Sequence, residues 1–177
     1  LVADVADLDQ LRAALAEATL PIGAVFHLAG AQAGGLVRDV DPDRLAALFA
    51  AKVTGARHLD ALIGDDVRLV LFSSAIAWLG LPGASVYGAA SAALEAVAAS
   101  RRARGAPAAA ISWGPWSTGM AADLDWGADG ALPLSVDDGL RALSRAVDGP
   151  SSLVLRADEA ALGARYGALP PWLEGFP

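Results

Sequence analysis

The chain reads as an α/β fold, a parallel sheet with helices on both faces. Three observations predict it. Short strands and longer helices alternate along the 177 residues, from a strand at Val2 to a last strand ending at Leu155. The strands are apolar at consecutive positions, as in Leu69-Val70-Leu71-Phe72 and Ala108-Ala109-Ala110-Ile111, which marks strands covered on both faces. The residues of chemical interest, His27, Ser73, Ser74 and Gly114, fall at the carboxyl ends of strands, where ligands bind in such sheets.

Each element has a local reason. Val2 to Asp4 is the tail of a strand ending in a carboxylate. Leu8, Leu11 and Leu15 recur at helical spacing after Asp7, a natural N-cap, and predict a helix to Glu17. Ala24 to His27 is a short buried strand, followed by a loop containing Gly30, Gly34 and Gly35. Asp41-Pro42 is a cap followed by a first-turn proline and opens a long helix to about Ile63. Val67 to Ser73 is the next strand, and Gly80 to Gly83 is a turn. Ser85 to Arg104 is a helix stopped by Gly105. Ala108 to Trp113 is a strand broken by Gly114-Pro115, and Ser117 to Pro133 is irregular. Ser135 to Val147 is a helix with Asp137 and Asp138 in its first turn, where a carboxylate pair serves the helix start rather than acid–base chemistry. Ser152 to Leu155 closes the sheet, and residues 169–177, with Pro170-Pro171, read as a linker or tail.

Length and composition set the outer bounds. The chain is about one domain, and 55% hydrophobic content is ample for a core. A net charge of −7 does not favour nucleic acid or anionic membrane as partner. Without cysteine there is no disulfide or thiolate metal site, and two distant histidines make no metal site. No apolar run reaches the ~20 residues of a membrane helix, and the first residues lack the pattern of a signal peptide. A cytoplasmic setting is the expectation. Arg101, Arg102 and Arg104 read as the solvated end of a helix, and His58 as a residue on a solvated helix face. His27 reads as a hydrogen-bonded strand-end residue. Trp113 and Trp116 pack the sheet edge or, for Trp116, line the cleft; Trp78 and Trp126 are cleft wall or surface.

The chemistry concentrates in three side chains. Ser74 ends an apolar strand, and Tyr87 follows thirteen residues later at the start of a helix. Lys52, the sole lysine, lies on the helix before that strand. A hydroxyl to hold a carbonyl oxygen, a phenol to give or take a proton, and an ammonium to lower the phenol pKa are what carbonyl reduction needs.

The segments Val25-Phe26-His27-Leu28-Ala29-Gly30, Ala51-Lys52-Val53, Leu71-Phe72-Ser73-Ser74, Tyr87-Gly88-Ala89-Ala90-Ser91 and Ile111-Ser112-Trp113-Gly114-Pro115-Trp116 occur in this order. Together they resemble the ketoreductase domain of a modular type I polyketide synthase, a relative of the short-chain dehydrogenases/reductases, over residues 1–168. Ordinary short-chain dehydrogenases place a lysine four residues after the tyrosine. Here that position is Ser91, where the polyketide family usually has asparagine, and Lys52 occupies the family's lysine position on the preceding helix.

The resemblance implies a Rossmann-like fold and reduction, by NADPH, of the β-keto group of a chain on an acyl carrier protein. It implies Tyr87 as general acid, Ser74 as the carbonyl's hydrogen-bond donor, Lys52 tuning the phenol and touching the nicotinamide ribose, and Ser91 as the fourth polar member. For the cofactor it implies Asp4 and Val5 at the adenine, Ala29 and Gly30 where backbone comes close, and Gly114, Pro115 and Trp116 beside the nicotinamide. Residues 117–133 resemble a substrate lid.

The glycine-rich turn that normally opens this family, and its first two strands, are missing from the sequence. The expectation is therefore a partial domain, with the missing N-terminal part belonging to the same polypeptide or another chain, and no self-sufficient enzyme in these residues. Other readings stay open: a structural or epimerising ketoreductase-like domain, a free-standing short-chain dehydrogenase, or a docking module. One stereochemical class carries Leu-Asp-Asp where this chain has Gln32-Ala33-Gly34, and the other carries tryptophan where it has Leu79. The first difference leans toward L-configured alcohols and leaves the product's stereochemistry open.

Overall fold

The computed structural model describes residues 2–31, 35–121, 130–168 and 171. Four parallel strands form one sheet in the order β1 (Ala24–His27), β2 (Arg68–Ser74), β3 (Ala108–Trp113) and β5 (Ser152–Val154). The pairing of His27 with Leu71 and of Ser74 with Trp113 brings the carboxyl ends of β1, β2 and β3 to one edge. All six residues of β3 are buried, as a run apolar on both faces requires.

Helices cover both faces, as expected. On one side α1 (Leu8–Ala16), α3 (Gly55–Leu62) and α5 (Ser85–Ala103) pack Leu11, Ala56, Leu59, Leu94 and Ala98 onto Leu69, Leu71, Ala108 and Ala110. The alanines of β3 and α5 let backbone approach backbone. On the other side α6 (Val136–Ala146) lays Ala142, Leu143 and Ala146 over Val70, Phe72, Ile111 and Trp113. The caps are those the sequence offers: Asp7, Asp41 and Ser135 accept from the first-turn N–H groups of their helices. Gly105, at φ +88°, ends the turn after α5.

Several expectations need correction. Residues 2–4 form no strand, because their backbone is served locally. The Asp4 carbonyl accepts from the Asp7 N–H at 3.0 Å, and the Asp4 N–H donates to Gln10 Oε1 at 3.2 Å. The long helix from Pro42 is three pieces: α2 (Pro42–Phe49), a π turn over Ala50–Thr54, and α3. A one-turn helix α4 (Ile76–Leu79) follows β2 directly. The stretch expected to be irregular carries a 3₁₀ turn at Gly119–Ala121 and a strand β4 (Ala131–Leu132), which pairs antiparallel with β6 (Arg156–Ala157). Helix α7 (Glu159–Tyr166) buries Leu162 against Ala75 and Leu79. Of the expected lid, residues 122–129 lie outside the described residues, as do Trp126, the triplet 32–34 and all of the tail except Pro171.

Arg101 is not solvated. It is fully buried, donating to the carbonyls of Gly64 (2.6 Å), Val67 (2.7 Å) and Pro107 (3.3 Å) and pairing with Asp60 at 2.9 Å. Its Nη2 group serves the Gly64 and Val67 carbonyls after α3, while Nη1 reaches Asp60 and Nε the Pro107 carbonyl. His58 is half-buried, and its Nδ1–H donates to the Val5 carbonyl at 3.2 Å.

Candidate active site

Lys52 sits in the π turn, 3% exposed. Such turns inside α-helices recur at functional sites. Its Nζ donates to Ser91 Oγ at 2.9 Å and lies 4.0 Å from the centroid of the Tyr87 ring. Tyr87 and Ser91 are one helical turn apart on α5, so both face the sheet edge. The serine that replaces asparagine is long enough for direct contact with the lysine. Burial pulls the Lys52 ammonium down to about 8. Burial pushes the Tyr87 phenol above its ordinary value, so in this structure desolvation outweighs any lowering by Lys52, whose cation lies over the ring face.

Ser74 closes β2. Its Oγ accepts the Ile76 N–H at 3.3 Å, which occupies a lone pair and leaves the hydroxyl hydrogen to donate. Gly88 brings this turn against α5: a Cβ there would stand 3.3 Å from Ile76 Cγ2 and 3.4 Å from the Ile76 carbonyl oxygen. The strand end with Ser74 is thus pressed onto the helix one residue beyond Tyr87. A cavity of about 280 Å³ beside this contact, with Ile76, Gly80, Leu81, Ala84, Gly88 and Ala92 in its wall, is lined by no ionisable residue.

The KR domain family model matches residues 1–118. The chain belongs to the KR domain family. It is 42% identical over 170 residues to the spectinabilin polyketide synthase system protein NorB of Streptomyces orinoci, with 88% of this chain and 8% of that protein covered. With the NorA' protein of the same system and organism it shares 37% over 187 residues, 98% of this chain and 5% of the relative. A solved A-type ketoreductase from a modular polyketide synthase superposes with a TM-score of 0.91 at 34% identity, covering 100% of this chain and 40% of that one. The chain therefore spans a small part of the curated relatives it matches and about two fifths of the solved ketoreductase chain.

In this KR domain the residues expected to bind cofactor sit at different depths. Ala29 and Gly30 follow β1 at the carboxyl edge, and a Cβ at Gly30 would meet nothing within 4 Å. Gly114 follows β3 and lies close against the end of β5: a Cβ would stand 3.3 Å from the Val154 carbonyl oxygen and 3.0 Å from Leu155 Cδ1. Pro115 is buried, and its carbonyl accepts from the Leu134 N–H at 2.7 Å. The Trp116 indole packs edge-on to Trp113 at 5.0 Å and against Gly139 of α6. Asp4 is exposed, while Val5 packs against Gly55 and His27.

Sequence reasoning missed the polar layer beneath the site. Glu95 Oε1 accepts from Trp78 Nε1 (3.0 Å) and from Ser112 Oγ. Ser73 Oγ gives its one hydrogen to the Ser91 carbonyl at 2.9 Å and stands 3.5 Å from Glu95 Oε1. The signal was present: positions 87, 91 and 95 recur every four residues along one helix. Among the described residues no group of His, Asp or Glu is placed to hold a metal ion, and no helix is long and apolar enough to cross a membrane.

Proposed function

We propose that this KR domain carries the proton-transfer centre of a ketoreductase. The enzyme would use NADPH to reduce the β-keto group of an acyl chain borne on an acyl carrier protein. The observation that carries the reading is the seat of Lys52 Nζ, between Ser91 Oγ and the Tyr87 ring. Family membership supports the reaction class and the nicotinamide; the NADPH preference and the carrier-bound substrate rest on likeness to the polyketide relatives.

The residues fit such a cofactor at the nicotinamide end. Gly30 offers open backbone at the sheet edge. Lys52 gives one of its three N–H groups to Ser91 and keeps two for ribose hydroxyls. When bound, the nicotinamide supplies hydride to the carbonyl carbon. Ser74 holds the carbonyl oxygen with its free hydroxyl hydrogen, a bond that strengthens as charge develops. Tyr87, neutral at pH 7 like an ordinary phenol and pushed further that way by burial, gives its proton to that oxygen. Lys52, mostly charged at pH 7, steadies the phenolate left behind. Acid–base assistance of this kind contributes ~10²–10⁴ in rate, or ~3–5 kcal/mol.

The test uses a complete ketoreductase polypeptide containing these residues, a β-ketoacyl thioester on carrier protein, and NADPH. The expected result is the β-hydroxyacyl thioester by mass spectrometry, with Ser74→Ala slower by about 10²-fold. No hydroxyacyl product from the unsubstituted enzyme would refute the reading.

A further inference from the structure

We propose that His27 is a positioning residue for Lys52: by holding the Lys52 carbonyl it fixes the π turn that aims the ammonium at Tyr87 and Ser91. The inference rests on the role given to Lys52 above and adds a residue outside the proton-transfer set.

His27 is the last residue of β1 and is 2% exposed. Its Nε2 lies 2.8 Å from the Lys52 carbonyl oxygen. A carbonyl oxygen only accepts, so Nε2 carries the hydrogen and Nδ1 of the neutral ring does not. Burial holds the imidazole below its ordinary value; the hydrogen bond to the Lys52 carbonyl acts the other way and the Lys52 charge adds to the lowering. The ring is therefore a permanent donor, tied to the end of a strand whose position the sheet dictates.

What it ties down is the local winding of the rod. In the π turn the Gly55 N–H reaches back to the Ala50 carbonyl, five residues away. Each residue of an α-helix turns roughly 100°. Relaxing this turn to ordinary α geometry would therefore rotate Lys52 against α3 by roughly that angle and carry Nζ off Tyr87. One side-chain donor on the carbonyl of Lys52 itself holds the wider winding at the residue whose direction matters.

Gly55 makes the arrangement possible. A Cβ there would stand 3.2 Å from His27 Cε1 and 2.7 Å from Val5 Cγ2. The first residue of α3 is thus a notch that admits the imidazole edge and the valine together. A strand-end ring, a helix notch and a π turn converge on one backbone carbonyl.

The test is made in the complete ketoreductase. His27→Leu removes the donor, and His27→Gln returns an N–H near the position of Nε2. The expected result is a kcat for His27→Leu lower by about 10- to 100-fold, with KM for the acyl thioester within about twofold and His27→Gln recovering most of the loss. An unchanged kcat in His27→Leu, or a His27→Gln variant that holds the unsubstituted Tm yet is no faster than His27→Leu, overturns the proposal. Nitrogen NMR of the unsubstituted protein decides independently of whether any variant folds: hydrogen on Nε2 is required, and hydrogen on Nδ1 overturns it. If the unsubstituted enzyme reduces no β-ketoacyl thioester, the proposed function falls, while the NMR tautomer still tests His27. If Tyr87→Phe is inactive and His27→Leu is not, the inference about His27 alone falls.

Discussion

Lys52 Nζ stands over the face of the Tyr87 ring, 4.0 Å from its centroid, rather than beside the phenol oxygen. A cation over a ring is attracted to its π face, so this contact places the ammonium without requiring the phenol to ionise. Burial then acts on both groups in the same sense: the lysine is pushed toward its neutral form, and so is the tyrosine. At pH 7 the pair is a neutral phenol under a charged ammonium, the state from which a proton can be given to an alkoxide.

Replacing the ammonium by an apolar chain should separate activity from stability. Lys52→Met keeps the length and removes a buried charge that folding brings down from 10.5 to about 8. The variant should gain up to roughly 3 kcal/mol at pH 7, from about 1.36 kcal/mol per pKa unit, while kcat falls by about 10²-fold or more. Denaturant unfolding and single-turnover reduction measure the two effects.

The pH profile follows from the same group. Lys52 is a base whose folded pKa lies below its unfolded one, so between about 8 and 10.5 the folded state binds fewer protons than the unfolded. Its cost to stability is therefore full below pH 8 and is relieved as pH rises toward 10.5. Activity moves the other way: kcat should be level up to about pH 8 and fall above it as the ammonium is lost. In Lys52→Met both dependences should vanish, as pH-resolved melting and kinetics would reveal.

Gly139 lies mid-helix in α6, where glycine to alanine ordinarily stabilises by ~1 kcal/mol. Here a Cβ would overlap the Trp116 indole. Gly139→Ala should instead cost about 1–3 kcal/mol, and it should raise KM for NADPH if Trp116 lines the nicotinamide site. The sign of the change in unfolding free energy is the check.

Arg101 and Arg104 should differ sharply although they share Asp60. Arg101→Met strips donors from the buried carbonyls of Gly64 and Val67 and should cost about 3–5 kcal/mol. Arg104 is 41% exposed, so Arg104→Ala should leave the unfolding midpoint nearly unchanged. Parallel thermal unfolding of the two variants is the measurement.

The layered architecture was legible because the buried strands are short apolar runs and several helices are bounded by marked residues, as at Asp7, Asp41, Ser135 and Gly105. Lys52, Tyr87 and Ser91 were legible as candidates because Lys52 is the sole lysine and Tyr87 and Ser91, four residues apart, share one face of α5. The π turn was not, since Ala50 to Thr54 has no residue that marks a wider winding; its support comes from His27, 25 residues away. Arg101 misled because a basic cluster at a helix end reads as solvated, and only the fold brings the carbonyls after α3 onto it. The strand placed at Val2 to Asp4 failed because three residues without a neighbouring strand find closer partners in Asp7 and Gln10.

The most direct test of the central claim is single-turnover reduction by Tyr87→Phe in the complete ketoreductase, with cofactor binding followed in parallel by nicotinamide fluorescence. The account predicts unchanged binding and a rate lower by at least about 10²-fold. Reduction at the unsubstituted rate would contradict it.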